Sequence, residues 1–279
     1  MRLAYLGTPA MSVPPLEALA AAGHEIAAVV TRPDTRRGRG RETSPSPVKV
    51  AAERLGVKVL HDVDELLPIS SAEPIELGVV VAFGQIIRPN VLEVIPMVNL
   101  HVSLLPRWRG AAPIERAILA GDEVTGVCLM AVEEGLDTGG VYARVDVPIG
   151  SATADELRST LVDAGTHLLV DRLAEGLGEP EPQQGTPTYA AKIRADELRI
   201  DWTRPAVEID RLVRVGGAWT TFRGRRVKVL SGAIEPSGDD GCDHGERYVP
   251  AEVRPEGKPA MAFDAWMNGA RPAPGEWFE

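Results

Sequence analysis

Cysteine is almost missing from this chain: Cys128 and Cys242 are the only two in 279 residues. Two thiols cannot make a disulfide framework or a four-cysteine zinc site, and they suit a reducing, cytoplasmic setting. No uninterrupted apolar run approaches the roughly 18 residues needed to cross a bilayer, so no membrane partner is expected. The opening Met1-Arg2-Leu3-Ala4-Tyr5-Leu6-Gly7 is too short for a signal peptide and runs into Thr8-Pro9, so it reads as a first strand. The three-glycine dinucleotide fingerprint is also missing, which disfavours an NAD site. No set of ligands has metal spacing, and no metal is expected.

Basic charge is scarce on average, with a net charge of −10. It is also unevenly spread. Residues 32–49 hold six Lys/Arg against Asp34 and Glu42, and residues 211–228 hold six with no acid. If these segments carry +4 and +6, the remainder carries −20. A local polyanion site on an acidic body needs such segregation, although a solvated basic face explains either cluster equally well.

What is present is an α/β pattern. An apolar strand at 3–6 turns at Gly7-Thr8-Pro9, a helix follows at 13–22 with Ser12 placed to cap it, and a second strand occupies 25–30. Ser46-Pro47 starts another helix, cap and first-turn proline in the favoured order. The β-branched run Gly78-Val79-Val80-Val81-Ala82-Phe83-Gly84 is that of a buried parallel strand, and 98–102 and 127–132 read as two more of the same type. Thr153-Ala154-Asp155-Glu156 is a capping box heading an amphipathic helix, and residues 178–185 have linker composition. Beyond it come a short helix near 207–215, strands at 218–222 and 225–230, and a Gly/Asp/Pro-rich stretch over 231–253 that reads as loop. The expected fold is a doubly wound, mostly parallel, Rossmann-like domain over 1–190, followed at 203–279 by a small β-rich domain. The chain is expected to be a monomer.

The chemistry concentrates in Asn99-Leu100-His101-Val102-Ser103-Leu104-Leu105-Pro106-Arg107-Trp108-Arg109-Gly110. Alternate residues of a strand share a face, so Asn99 and His101 meet where the strand ends. In open α/β sheets ligands bind at such carboxyl ends. An amide beside an imidazole can serve as oxyanion donor and proton-transfer group. A lone histidine there is more often a core or turn residue. The other four, His24, His61, His167 and His244, have no comparable company. Asp137, in Glu133-Glu134-Gly135-Leu136-Asp137-Thr138-Gly139-Gly140, is placed to orient the imidazole if its strand ends beside the first. Alone, an Asp in such a loop is ordinary turn chemistry.

The string Asn99-x-His101-x-Ser103-Leu104-Leu105-Pro106-x-x-Arg109-Gly110 together with Leu136-Asp137-Thr138-Gly139 resembles the signature of the 10-formyltetrahydrofolate-dependent formyltransferases. Ser44-Pro45-Ser46-Pro47-Val48-Lys49, Thr188-Tyr189-Ala190-Ala191-Lys192-Ile193 and Ile200-Asp201-Trp202 extend the likeness to the members acting on methionyl-tRNA. The resemblance implies Asn99, His101 and Asp137 as the catalytic trio. It implies Phe83, Gly84, Ile86, Ser103, Leu104, Leu105, Pro106, Gly135 and Leu136 as a site for 10-formyltetrahydrofolate. It implies contacts to initiator Met-tRNA through Arg36, Arg37, Arg39, Arg41, Lys49, Arg225 and Arg226. The 36–41 loop is expected to be mobile until tRNA binds, because glycine alternates there with like charges and nothing apolar anchors it. The resemblance also implies an oligonucleotide-binding (OB-like) barrel in the second domain, which the loop-like 231–253 stretch would leave incomplete. Three other readings stay open: a sugar-nucleotide N-formyltransferase, a folate deformylase using water as acceptor, and a folate- or tRNA-binding protein without turnover. Whether His101 is a general base or an electrostatic stabiliser is also open.

Overall fold

The computed structural model describes residues 1–36, 43–236 and 245–279. The chain sorts into two compact units. The first comprises residues 1–113, 124–148 and 158–190, and the second 114–123, 149–157 and 191–279.

The first unit is built on strands β1 (Arg2–Gly7), β2 (Glu25–Val30), β3 (Val59–Leu60), β4 (Leu77–Val81), β5 (Met97–His101), β6 (Val124–Ala131) and β7 (Val141–Pro148). Their spatial order is β7-β6-β5-β4-β1-β2-β3. The five strands from β3 to β5 are mutually parallel, while β6 and β7 are antiparallel to their neighbours. The strand order reverses between β1 and β4, which opens the crevice typical of doubly wound sheets. Helix α1 (Val13–Ala21) follows β1, and α2 (Pro47–Arg54) and α3 (Leu66–Ala72) follow β2 and β3. Ser46 caps α2 by accepting from the Lys49 amide. Ser12 does not cap α1: its hydroxyl donates instead to Val81 O at 2.7 Å, tying the helix start to the end of β4. One face of the sheet buries Ala4, Leu6, Ala28, Val30, Val80 and Met97 against Leu66, Val91 and Ile95.

Two sequence expectations change here. The strand expected at 127–132 is present but runs antiparallel to β5, so its carboxyl end lies beside the start of β5. The segment 178–185 is not a free linker. Glu181 exchanges backbone hydrogen bonds with Val141 at 2.7 and 2.9 Å, and Tyr189–Ala190 pairs in parallel with Arg109–Gly110. Proline and glycine end a helix without preventing extended pairing.

In the second unit, α4 (Ala206–Val215) packs with strands β8 (Trp219–Phe222), β9 (Arg225–Pro236), β10 (Glu246–Pro255) and β11 (Met261–Ala262), and α5 (Phe263–Ala270) follows. The four strands form an open antiparallel sheet in the order β8-β9-β10-β11, a barrel left incomplete among the described residues. Within the stretch expected as loop, residues 231–236 and 246–253 are instead strand, extending β9 and β10 in antiparallel register. Gly232 and Pro250 look like breakers in sequence, but they face each other in register beside a bulge. A side chain at Gly232 would meet Tyr248 Oη at 2.5 Å, so the tyrosine ring covers the glycine.

The edge of β8 is covered by the chain itself. Ile200 N donates to Trp219 O, Trp219 N to Leu198 O, and Glu279 N to Thr221 O, all at 2.8–2.9 Å. Phe278 stacks between Trp202 (5.1 Å) and Trp266 (5.3 Å). Arg223 grips Glu276 with two bonds of 2.6 Å. The guanidinium, and then the Ala273 amide, pull the Glu276 carboxyl from its ordinary 4.5 down to about 2.

A depressed carboxyl adds stability that is present above its unfolded value and lost as pH falls through its folded value. Acid should therefore release the 276–279 segment in the window from 4.5 to about 2. Four of the five tryptophans, Trp202, Trp219, Trp266 and Trp277, lie in this unit and will report it by fluorescence. Glu276→Gln should remove the pH dependence in that window; an unchanged acid transition would show that the pair does not hold the segment.

Candidate active site

β5 delivers Asn99 and His101 to one face of the sheet, while Val98 and Leu100 are buried on the other. Asn99 is half-buried and pairs in register with Val80 on one side and Met130 on the other. His101, 6% exposed, sits at the strand's carboxyl end. Its Nε2 lies 3.0 Å from Trp108 O. A carbonyl oxygen only accepts, so Nε2 carries the hydrogen and Nδ1 is the nitrogen left to exchange a proton.

Nδ1 faces Asp137 Oδ2 at 3.6 Å, an ion-pair distance rather than a hydrogen bond. Asp137 does not arrive from a neighbouring carboxyl end as the sequence suggested. Because β6 is antiparallel, the 132–140 loop must fold back to bring the carboxylate to His101. Asp137 takes a left-handed backbone, φ 52°, which short polar side chains tolerate. Its Oδ2 also accepts from the Gly110 amide at 2.8 Å. The imidazole thus lies between a carbonyl on one side and a carboxylate on the other.

The turn after β5 is held by its own polar groups. Ser103, fully buried, donates to Arg107 O at 2.6 Å, and Thr188 Oγ1 accepts from Trp108 N at 2.9 Å. Leu105 packs with Cys128, Met130 and Val141 beneath the site. Burial pushes the Cys128 thiol up, so it is a packing group and not a nucleophile.

The residues implied for a folate site differ in what they expose. Phe83, Ser103 and Leu105 are buried, and any ligand would meet them through their backbone. Leu104 is partly covered and packs over Gly126, Pro106 lies beside Gly185, and Gly135 lies against Thr138. Gly84, φ 69°, has its carbonyl held by the Arg32 guanidinium at 2.9 Å. Ile86 and Leu136 are apolar yet 89% and 65% exposed.

Of the residues implied for tRNA, Arg37, Arg39 and Arg41, together with the expected mobility of their loop, lie outside the described residues. Arg36 belongs by its backbone to a two-residue strand, Thr35–Arg36, paired with Thr43–Ser44. Lys49 already holds Asp34 at 2.8 Å, which raises its pKa. Arg225 is exposed, whereas Arg226 lies over the Trp219 ring at 3.8 Å and, as its strand neighbour, points to the other face. Much of the basic 211–228 cluster is used internally. Arg214 binds Asp210 and the carbonyls of Gly150 and Ala152, Arg223 binds Glu276, and the Arg211 guanidinium packs on Gly121.

Gln183 was missed in the sequence because it sits in a stretch of linker composition. Its amide nitrogen donates to Asp137 O at 2.9 Å and Gly139 O at 2.8 Å, and its oxygen accepts from Arg109.

Comparison with known proteins identifies the family. The formyl transferase model matches residues 1–173, and the model of the formyl transferase C-terminal domain matches 192–271. The chain belongs to the formyl transferase family, in its methionyl-tRNA formyltransferase branch. It is 44% identical to the methionyl-tRNA formyltransferase of Roseobacter denitrificans over 100% of this chain and 99% of that protein. Identity to that of Dinoroseobacter shibae is 50%, over 86% of this chain and 85% of the relative. Among solved structures, an N-formyltransferase from Helicobacter canadensis in complex with folinic acid and dTDP-3-aminofucose superposes with a TM-score of 0.67. It is 17% identical, covering 89% of this chain and 98% of that one, and shows the shared fold.

The return of the loop depends on Gly139, where a methyl group would sit 2.0 Å from Ala131 O. Gly139→Ala should therefore destabilise the protein by about 1–3 kcal/mol, the usual cost of overpacking. Denaturant unfolding measures this, and a variant as stable as the parent would show that the loop relaxes freely.

Proposed function

We propose that the protein transfers the formyl group of 10-formyltetrahydrofolate to the α-amine of methionine on initiator Met-tRNA. The observation that carries the reading is the juxtaposition of Asn99, His101 and Asp137 at the end of β5 in a chain of this family. A neutral α-amine attacks the formyl carbon, forming the new C–N bond while the carbonyl oxygen becomes an oxyanion. A free α-amine has a pKa of about 7.7–8.0, so a modest base suffices to leave it neutral. Asn99 donates to the oxyanion. His101, oriented by Asp137, is placed to take on Nδ1 the proton lost by the attacking nitrogen, and the imidazolium so formed stands beside the oxyanion. Collapse breaks the bond to folate N10, which takes up a proton, and leaves the formamide. No step calls for a metal.

Ile86 and Leu136 would flank the folate ring system, with Phe83, Gly84, Ser103, Leu104, Leu105, Pro106 and Gly135 shaping the backbone around it. For tRNA, Arg36, Arg37, Arg39, Arg41 and Arg225 are the cations we assign to phosphate contacts. Lys49 and Arg226 would first have to exchange their partners Asp34 and Trp219. We assign catalysis to residues 1–190 and a supporting tRNA contact to residues 203–279, in a monomeric enzyme of the cytoplasm. The sugar-nucleotide reading draws support from the Helicobacter canadensis structure, but 17% identity there stands against 44–50% to the methionyl-tRNA enzymes.

Labelled 10-formyltetrahydrofolate offered with charged initiator tRNA, an amino-sugar nucleotide or water separates the acceptors, and only the tRNA should be formylated. Asn99→Ala should lower kcat by about 10²–10³, as loss of an oxyanion donor does, with His101→Ala and Asp137→Ala also severely impaired. Near-parental kcat in any two of the three would overturn the assignment. Replacing Arg36, Arg37, Arg39 and Arg41 together should weaken tRNA binding and flatten its salt dependence while sparing folate affinity; an equal loss of folate affinity would place the loop at the other substrate.

A further inference from the structure

We infer that Gln183 is a positioning residue for the formyl-transfer reaction, setting the Asp137 carboxylate against His101; this rests on the functional reading above.

The 181–190 segment is a strap across two loops that are joined elsewhere through the Asp137 carboxylate, by its bond from Gly110 N and its approach to His101. At one end Glu181 pairs with Val141, at the base of the 132–140 loop. At the other, Thr188 N donates to Pro106 O, Arg109 N donates to Thr188 O, and the Ala111 and Ala112 amides both donate to Ala190 O. That second end fixes the turn whose Trp108 carbonyl holds His101. Gln183 stands between the ends and touches both loops with a single planar group. Its NH₂ reaches the carbonyls of Asp137 and Gly139, and its Oε1 takes two hydrogens of the Arg109 guanidinium, at 3.1 and 2.6 Å.

Only one orientation of the amide satisfies these partners. Two carbonyls can only accept and a guanidinium can only donate, so every hydrogen-bonding group of Gln183 is matched to its complement. The consequence falls on Asp137. Its carboxylate is placed by Gly110 N, and its main chain, in the left-handed region, is placed by Gln183. Gly110 and Arg109 are adjacent, so both restraints refer Asp137 to the same short strand. The 3.6 Å approach of Oδ2 to Nδ1 has no hydrogen bond of its own and depends on these neighbours. A displacement of about 1 Å in a reacting constellation can cost 10²-fold in rate.

Gln183→Glu and Gln183→Met in the full-length protein test this. Glutamate has the same shape and keeps a partner for Arg109 but loses both donors to the Asp137 and Gly139 carbonyls. Methionine loses both sets. Both variants should lower kcat by about 10²-fold, leave KM for both substrates near the parental value, and shift the pH–rate profile. Both should also move the His101 ring nitrogen signals in NMR of the protein alone, whereas replacing its exposed neighbour, Gln184→Met, should change none of these. Parental kcat in Gln183→Glu with loss in Gln183→Met would overturn the inference, since anchoring of Arg109 would then suffice. So would a rise in KM at constant kcat, or ring signals that stay in place in both variants. If the parent protein itself fails to formylate Met-tRNA, the functional reading falls, while the ring signals still decide whether Gln183 positions the pair.

Discussion

The return of Asp137 to His101 against the direction of its own strand is the constraint on which the site depends. In a purely parallel sheet, two strand ends would have placed the pair without further help. Here β6 runs the other way, and the carboxylate must be carried back by a loop and held there. The left-handed backbone at Asp137 carries a strain of order 1 kcal/mol. An amide donating to a carboxylate contributes about 1.5–3 kcal/mol, so the bond from Gly110 is large enough to offset it. The close contacts at Gly139 and the strap at 181–190 then leave the loop few other conformations.

This explains which parts of the site could be read from sequence. Asn99 and His101 were legible because a strand's two-residue period puts them on one face whatever surrounds it. Asp137 was reached as the acid in the glycine-rich loop after the next strand, and the expected route to it, through neighbouring carboxyl ends, was wrong because strand direction is not encoded in an apolar run. Gln183 left no signal at all: it bonds to residues 44 and 74 positions away, and its flanking prolines and glycine give a composition that also fits a tether.

The fold divides in the same way. The β-α-β opening, the Ser46 cap and the buried valine strand β4 follow from local rules, and the structure contains them. The pairing of β9 with β10 runs against local rules, because Gly232 and Pro250 are breakers when read alone. Cross-strand partners reverse their meaning. The glycine is the position over which Tyr248 can lie, and the proline opposes it where the register is already irregular. Tertiary packing outweighs propensity most often in sheets, since pairing energy comes from residues far along the chain.

An open four-stranded sheet has two edges, and each is managed by a different device. β11 is two residues long and gives way at once to α5, so there is little edge to pair. β8 is longer and is covered by 198–200 and Glu279, with Phe278 packed on the sheet's own core and Trp277 set edge-on against the Phe263 ring. The cations of this region follow from that arrangement. Arg223 is needed to hold the covering segment through Glu276, and Arg214 and Arg211 are needed within the unit. The density of positive charge in the sequence therefore overstates the charge available to a polyanion. Of the 211–228 cluster, Arg225 and Lys228 are the cations left exposed on β9. Because a strand sends residues 225 and 228 to opposite faces, the two cannot grip one phosphate together, and their contribution to affinity would be that of separate charges, sensitive to salt.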